Sequence, residues 1–180
     1  MTKIIFKPIL ATMFLMGSLV SNQVFAVDGY KNLKFGISLN ETLINVKCSF
    51  EDADSGLPGV QMISCPDFSF GADKVSSAML YIDGKLLRII IEPSVELVDG
   101  ILAGLMKKYG EPSFRSPEED FHAIDQFPNR QAELGWDNDT VFLRFLSDQF
   151  GNQGILLIYT SPEYDKQMLL NQEQSLGDDL

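Results

Sequence analysis

Apolar and polar positions alternate along this chain in two rhythms, one of two residues and one of three to four, and the switches between them outline its elements. Tyr30 to Ile37 reads as a short strand. Ser38-Leu39-Asn40-Glu41 then matches the Ser-x-x-Glu capping box, which satisfies two backbone donors at a helix start. Leu39, Leu43 and Val46 recur at helical spacing, so a helix over about Leu39 to Lys47 should lay one face on a sheet. Val60 to Ser64 and Phe68 to Phe70 read as short strands flanking Cys65-Pro66. The clearest hairpin joins Ser77 to Ile82 with Lys85 to Glu92 across Asp83-Gly84, a pair that tolerates the positive φ angles of a type I′ turn. Leu86 to Ile91 is almost continuously apolar, as in a central strand covered on both faces.

Pro93-Ser94 ends that strand and opens the strongest helical pattern, carried by Val95, Val98, Ile101, Leu102, Leu105, Met106 and Tyr109. Lys107 and Lys108 suit the negative end of its dipole, and Gly110 with Pro112 stops it. Gly100 and Gly104 lie inside this helix at about 1 kcal/mol each relative to Ala, which suggests that they permit close approach to the sheet. Glu111 to Arg130 reads as a long irregular segment, holding three prolines, the acidic run Glu118-Glu119-Asp120 and His122, the one histidine. Connections of that length inside a domain are more often functional or disordered than neutral. Three strands follow, over about Gln131 to Trp136, Thr140 to Leu146 and Gly154 to Thr160. Pro162 to Leu170 reads as a short helix, and residues 171–180 as a flexible polar tail.

The order is therefore helix then strands, twice, in an α+β domain whose antiparallel sheet carries helices on one face. With Phe35-Gly36-Ile37-Ser38 entering the first helix and Lys108-Tyr109-Gly110-Glu111-Pro112 leaving the second, it resembles the α/β repeat of β-lactamase inhibitor protein and of the small outer-membrane lipoproteins of the barrel-assembly machinery. The resemblance spans roughly Leu33 to Thr160. It implies a protein that binds other proteins through an open sheet face and its loops, and it transfers no functional residue. The chain departs from the lipoproteins in lacking a cysteine for lipidation near its start.

Residues 1–26 change the picture by fixing a compartment. Lys3 and Lys7, the apolar run Ile9 to Val20, and Val24-Phe25-Ala26 form the three parts of a cleavable secretory signal, with cleavage expected after Ala26. A periplasmic or secreted protein, of bacterial type, is expected, with one domain over 27–170. The leader run is too short to span a bilayer, which takes about 20 apolar residues, and no later stretch approaches that. The leader holds two of the 14 basic residues and none of the 25 acidic ones, so the remaining chain carries a formal charge of −13. Lys107-Lys108 is the one adjacent basic pair, which argues against nucleic acid and anionic lipid as partners; the acidity either favours a protein with a basic surface or serves only to keep an exported domain soluble. Cys48 and Cys65, the only cysteines, read as a disulfide in an exported chain. Their spacing of 17 is far from Cys-x-x-Cys, and no histidine lies near.

No catalytic constellation emerges. His122 has Asp120 and Asp125 nearby to orient it, but no Gly-x-Ser-x-Gly elbow exists to supply a nucleophile. Zinc lacks ligands, and no cofactor motif is found. Asp52 with Asp54, and Asp137 with Asp139, offer oxygens to calcium without the glycine and terminal glutamate of a calcium loop, and turn chemistry accounts for both. Phe114, Arg115, Phe121, His122, Phe127 and Arg130 give the long segment the aromatic and arginine content of a protein-binding surface, the competing arrangement being a lid folded on the core. The sequence thus points to an exported, non-enzymatic protein-binding domain, an inhibitor, immunity or envelope accessory protein. An exported hydrolase using carboxylates or a bound cation, and a carrier holding an apolar molecule between sheet and helix, remain the alternatives.

Overall fold

The computed structural model describes residues 26–178. The leader lies outside the described residues up to position 25. A small hairpin of β1 (Gly29–Tyr30) and β2 (Leu33–Lys34) precedes α1 (Leu39–Asn45), β3 (Glu51–Ala53), β4 (Val60–Phe70), β5 (Asp73–Ile82) and β6 (Lys85–Glu92). A 3-10 turn then leads into α2 (Val98–Tyr109), β7 (Phe114–Arg115), α3 (Glu118–Gln126), β8 (Arg130–Trp136), β9 (Val141–Ser147), β10 (Gln153–Thr160) and α4 (Tyr164–Asp178).

Strands β3 to β10 form one antiparallel sheet in the order β3-β4-β5-β6-β10-β9-β8-β7. Each half starts from a helix, enters the sheet at an edge and walks inward. The two halves meet where β6 and β10, the last strand of each, pair with Leu157 opposite Ile91 and Tyr159 opposite Ile89. The expected helix-then-strands repeat is therefore present, with α3 inserted after β7 in the second copy.

Period-2 alternation sorts the side chains. One face, called here the first, gathers Ile63, Cys65, Met79, Tyr81, Ile89, Ile91, Leu134, Trp136, Leu143 and Leu157 into the main core, against which Leu39, Val98, Ile101, Leu102 and Phe121 of α1, α2 and α3 pack. Two hydrogen bonds pin the repeat helices to it. The buried Tyr81 hydroxyl donates to Thr42 Oγ1 of α1 at 2.6 Å, and Trp136 Nε1–H donates to the Gly110 carbonyl that ends α2 at 3.1 Å. Gly36 N–H donates to the Leu86 carbonyl and Leu86 N–H to the Ile37 carbonyl, at 2.8 and 2.9 Å, so the α1 entry is laced to β6. The second face carries a smaller cluster of Leu80, Ile82 and Leu87, covered by Tyr164 and Met168 of α4.

Several elements follow local chemistry as expected. The Ser38–Glu41 capping box forms, Asp83 and Gly84 take φ of 51° and 71° in the β5–β6 turn, and Gly110 ends α2 at φ 83°. Others differ. The stretch that opens at Ser49 holds β3, which pairs with β4 and has no strand signal in its sequence. The two short strands around Pro66 are one strand whose register shifts between Cys65 and Phe68, where proline withholds its donor. Residues Glu111 to Arg130 hold β7 and α3. The helix read as ending at Leu170 continues to Asp178, through Gln172, Glu173 and Gln174, good helix formers that suit a polar helix as well as a tail.

Cys48 and Cys65 are joined, with Cα atoms 5.8 Å apart. The bond ties the end of α1 to the middle of β4, and Asp67 braces the same corner by accepting from Ser49 N–H at 2.8 Å. Replacing both cysteines by serine should lower the unfolding free energy by about 3 kcal/mol, the chain-entropy value for a loop of this size. Urea denaturation measures it, and an unchanged midpoint would show that β3–β4 pairing holds the corner alone.

Four carboxylates sit below the usual range because the folded chain donates to them. Lys34 does so for Asp28, Ser38 backbone and hydroxyl for Glu41, Ser49 N–H for Asp67, and the Asn152 side chain with backbone N–H groups for Asp148. The unfolded chain takes up these protons first as pH falls, so the associated stability is complete above about pH 5 and is lost progressively below about pH 4. Denaturation midpoints measured from pH 7 down to 3 should be flat and then fall. A midpoint rising toward pH 3 would contradict these assignments.

Candidate functional site

Three regions are chemically distinctive: the ends of α3, the uncovered half of the second sheet face, and a cleft under α2.

At α3, Pro117 and the acidic run Glu118-Glu119-Asp120 form the helix start, where negative charge faces the positive end of the dipole. Arg115 reaches Glu118 at 3.1 Å and stacks over Phe121, its guanidinium carbon 5.4 Å from the ring centroid. Phe121 turns inward, edge-on to Phe145 with centroids 5.6 Å apart, and Ile124 is buried beside it. His122 is exposed, with Nε2 3.8 Å from Glu118. Asp125 accepts from Gln153 at 2.8 Å instead of orienting the imidazole. Phe127, 51% exposed at the far end of the helix, lies under Arg130 at 5.6 Å. Arg115, Phe121 and His122 are thus brought together around Glu118, while Phe127 and Arg130 form a separate pair, and Phe114 belongs to the sheet.

Phe114 lies on the second face. It is opposite Gly135, and a Cβ on that glycine would lie 3.2 Å from the Phe114 Cβ and 3.1 Å from the ring of Phe142. Gly135 therefore makes room for an aromatic pair. Leu146 and Leu156 extend the surface along β9 and β10, both half-buried, and a Glu133–Arg144 ion pair at 2.9 Å sits in its middle. The covered and uncovered halves meet at Arg88. Its guanidinium carbon lies 3.5 Å from the centroid of the Tyr164 ring of α4, and its Nε–H donates to Thr160 at 3.2 Å. Phe142, Leu146 and Leu156 were not singled out by sequence, although the near-continuous apolar run Val141 to Leu146 was a signal that both faces of β9 meet apolar surroundings.

The cleft lies between α2, the turn joining β4 to β5, and a floor formed by Leu157 and Tyr159 of β10 with Tyr30. Its volume is about 560 Å³, within the range of small-molecule sites. Gly100 and Gly104 line it one helical turn apart, and a Cβ built on either meets nothing within 4 Å. Close approach to the sheet, the expectation from sequence, is therefore not their role: they keep space open. Tyr30 and Tyr159 have ring centroids 4.9 Å apart, and burial, then Tyr109 and Tyr30, push the Tyr159 phenol well above its ordinary range. The Tyr109 hydroxyl is buried beside that phenol. Lys108 is the cation on the lining and Asp73 the carboxylate.

Of the acidic pairs considered for calcium, Asp137 is occupied, since its carboxylate accepts from Val27 N–H at 2.6 Å and from the Thr140 hydroxyl at 3.1 Å. Cys48, Cys65 and Asp67 are the one group of three potential ligands close together among the described residues, and the disulfide removes both thiolates from that role. No helix among the described residues is long and apolar enough to cross a membrane.

No solved structure matches the chain. It is 35% identical over 164 residues to an uncharacterized protein of Haemophilus influenzae, across 89% of this chain and 92% of that one. A family model described as "Uncharacterised protein" matches residues 30–179, from the first hairpin through α4. The chain belongs to that family of uncharacterised proteins.

Proposed function

We propose that this is an exported protein-binding domain that docks a basic partner protein on the uncovered half of its second sheet face. The observation that carries the reading is the asymmetry of that face. α4 lies over the β4–β6 half, while Phe114, Phe142, Leu146 and Leu156 remain half-buried or exposed on the other. Aromatic anchors around an arginine, with a polar centre, suit an interface that forms and separates. The charge of −13 after leader removal favours a cationic partner. From the resemblance to β-lactamase inhibitor protein read in the sequence, the proposal takes only the use of an open sheet face.

Export is supported by the leader sequence and by the Cys48–Cys65 bond, which persists in an oxidising compartment. Cleavage after Ala26 would also turn the Val27 N–H into an ammonium paired with the Asp137 carboxylate.

A photo-crosslinking residue at position 114 or 156 should give, in the native envelope, one adduct of defined mass, whereas the same residue at the exposed Ile44 of α1 should give none. Adduct formation at position 44 equal to that at 114 and 156, or none at the two face positions, would sink the reading.

A further inference from the structure

We propose that removal of the leader completes this fold: the ammonium freed at Val27 pairs with the Asp137 carboxylate and fastens the amino-terminal hairpin across both repeats. The pairing rests on the export reading, with cleavage after Ala26, and is independent of protein docking on the second face. Val27 N–H already donates to Asp137 Oδ2 at 2.6 Å, between residues 110 positions apart. Hydrolysis of the Ala26–Val27 peptide bond by a leader peptidase consumes one water. Ala26 keeps a carboxylate, and Val27 keeps an amine that is an ammonium at neutral pH. One neutral donor thus becomes a charged group with three N–H bonds to give, at a position where the folded chain already holds an acceptor.

Both partners are held in place. Val27 packs against the main core, and Gly29 turns the chain behind it at φ 143°, where a Cβ would collide with the Leu33 carbonyl. Phe35 N–H donates to the Asp28 carbonyl at 2.8 Å, which closes the hairpin at its open end. On the other side, Asp137, Asn138 and Asp139 take φ of 56°, 54° and 60° in the turn after β8, and the buried Thr140 hydroxyl lies 3.1 Å from the Asp137 carboxylate. Asp28, the carboxylate next to Val27 in sequence, is mostly exposed and already held by Lys34 at 2.7 Å. The hairpin so fastened bridges the two halves of the sheet, since the Tyr30 ring centroid lies 5.9 Å from that of Phe68 on β4 and 4.9 Å from that of Tyr159 on β10. A surface lysine in the same role would give up side-chain freedom to make the pair, whereas this nitrogen belongs to a backbone that packing has already ordered.

The intact mass of the exported protein should be that of a chain beginning at Val27, and any other first residue would overturn the cleavage position and the pairing together. Three forms of the folded mature chain then test the pairing alone: one with a free Val27 amine, one acetylated at that amine, and one that retains Ala26. Acetylation keeps the N–H and removes the charge, as the leader's peptide bond does. The free amine should melt about 2–4 °C above both other forms. Asp137→Asn, a residue that also tolerates positive φ, should abolish that difference. Amide exchange at Phe35 should be at least threefold slower in the free-amine chain than in the acetylated one. Equal melting temperatures for the free and acetylated chains, or a difference that survives Asp137→Asn, would overturn the pairing and leave the export reading standing.

Discussion

The pairing of β6 with β10 is the joint on which the rest of the molecule hangs. Each is the last strand of its repeat, and together they bring to the seam residues buried on both faces: Ile89, Ile91, Leu157 and Tyr159 toward the main core, Ile158 toward the other side. Without the seam, each half would be a four-stranded sheet ending in a long apolar edge, an arrangement prone to pair with any other strand. The joint closes those two edges on each other. It also joins residues some 70 positions apart, so its backbone bonds come at the entropy of closing a long loop and depend on each half being already shaped. The two helix anchors, Tyr81 on Thr42 and Trp136 on Gly110, do that shaping within each half.

What was legible in the sequence is what local chemistry decides. Ser38 and Glu41 satisfy each other's backbone donors whatever surrounds them, and Asp83-Gly84 reaches positive φ cheaply in any hairpin. Elements set by distant partners were hidden. Glu51-Asp52-Ala53 has no strand propensity to speak of and becomes β3 because the chain returns from Cys48 alongside Cys65. Phe114-Arg115 is a strand only because β8 offers it an edge. α3 is a different case, since Pro117 followed by three acidic residues is a helix-start signal, with Phe121 and Ile124 at helical spacing behind it. Reading that run as a charged loop overlooked the dipole.

The candidate sites divide the same way. Phe114, Phe121 and Phe127 are neighbours in composition but not in space, because β7 turns the first onto the second face while α3 sends the others to its inner side and its far end. Only the strand order shows that Phe114 joins Phe142, on a strand some 30 residues later, across Gly135. For the cleft, the glycine spacing was visible, but its meaning depends on what stands opposite. Close packing and open space leave the same two letters in a sequence and differ only in the neighbours of an absent Cβ.

A sheet built from two similar halves would be expected to carry similar covers, and the difference between them has a physical origin. The half under α4 offers Val60, Met62, Ala78, Leu80 and Ile82, an aliphatic strip bordered by one ionised group, Arg88, which α4 itself meets with the Tyr164 ring and Asp165, so that the lid costs little there. The other half holds Glu133 and Arg144 at its centre, side chains 26% and 33% exposed, still partly hydrated. A fixed apolar helix there would strip that hydration without supplying hydrogen bonds in return, a penalty of several kcal/mol per ion in a dry interior. A partner bringing its own polar groups would face a smaller penalty and could leave water at the pair. The ion pair therefore disfavours the intramolecular lid that the aliphatic half accepts, and it leaves the aromatic patch around it uncovered.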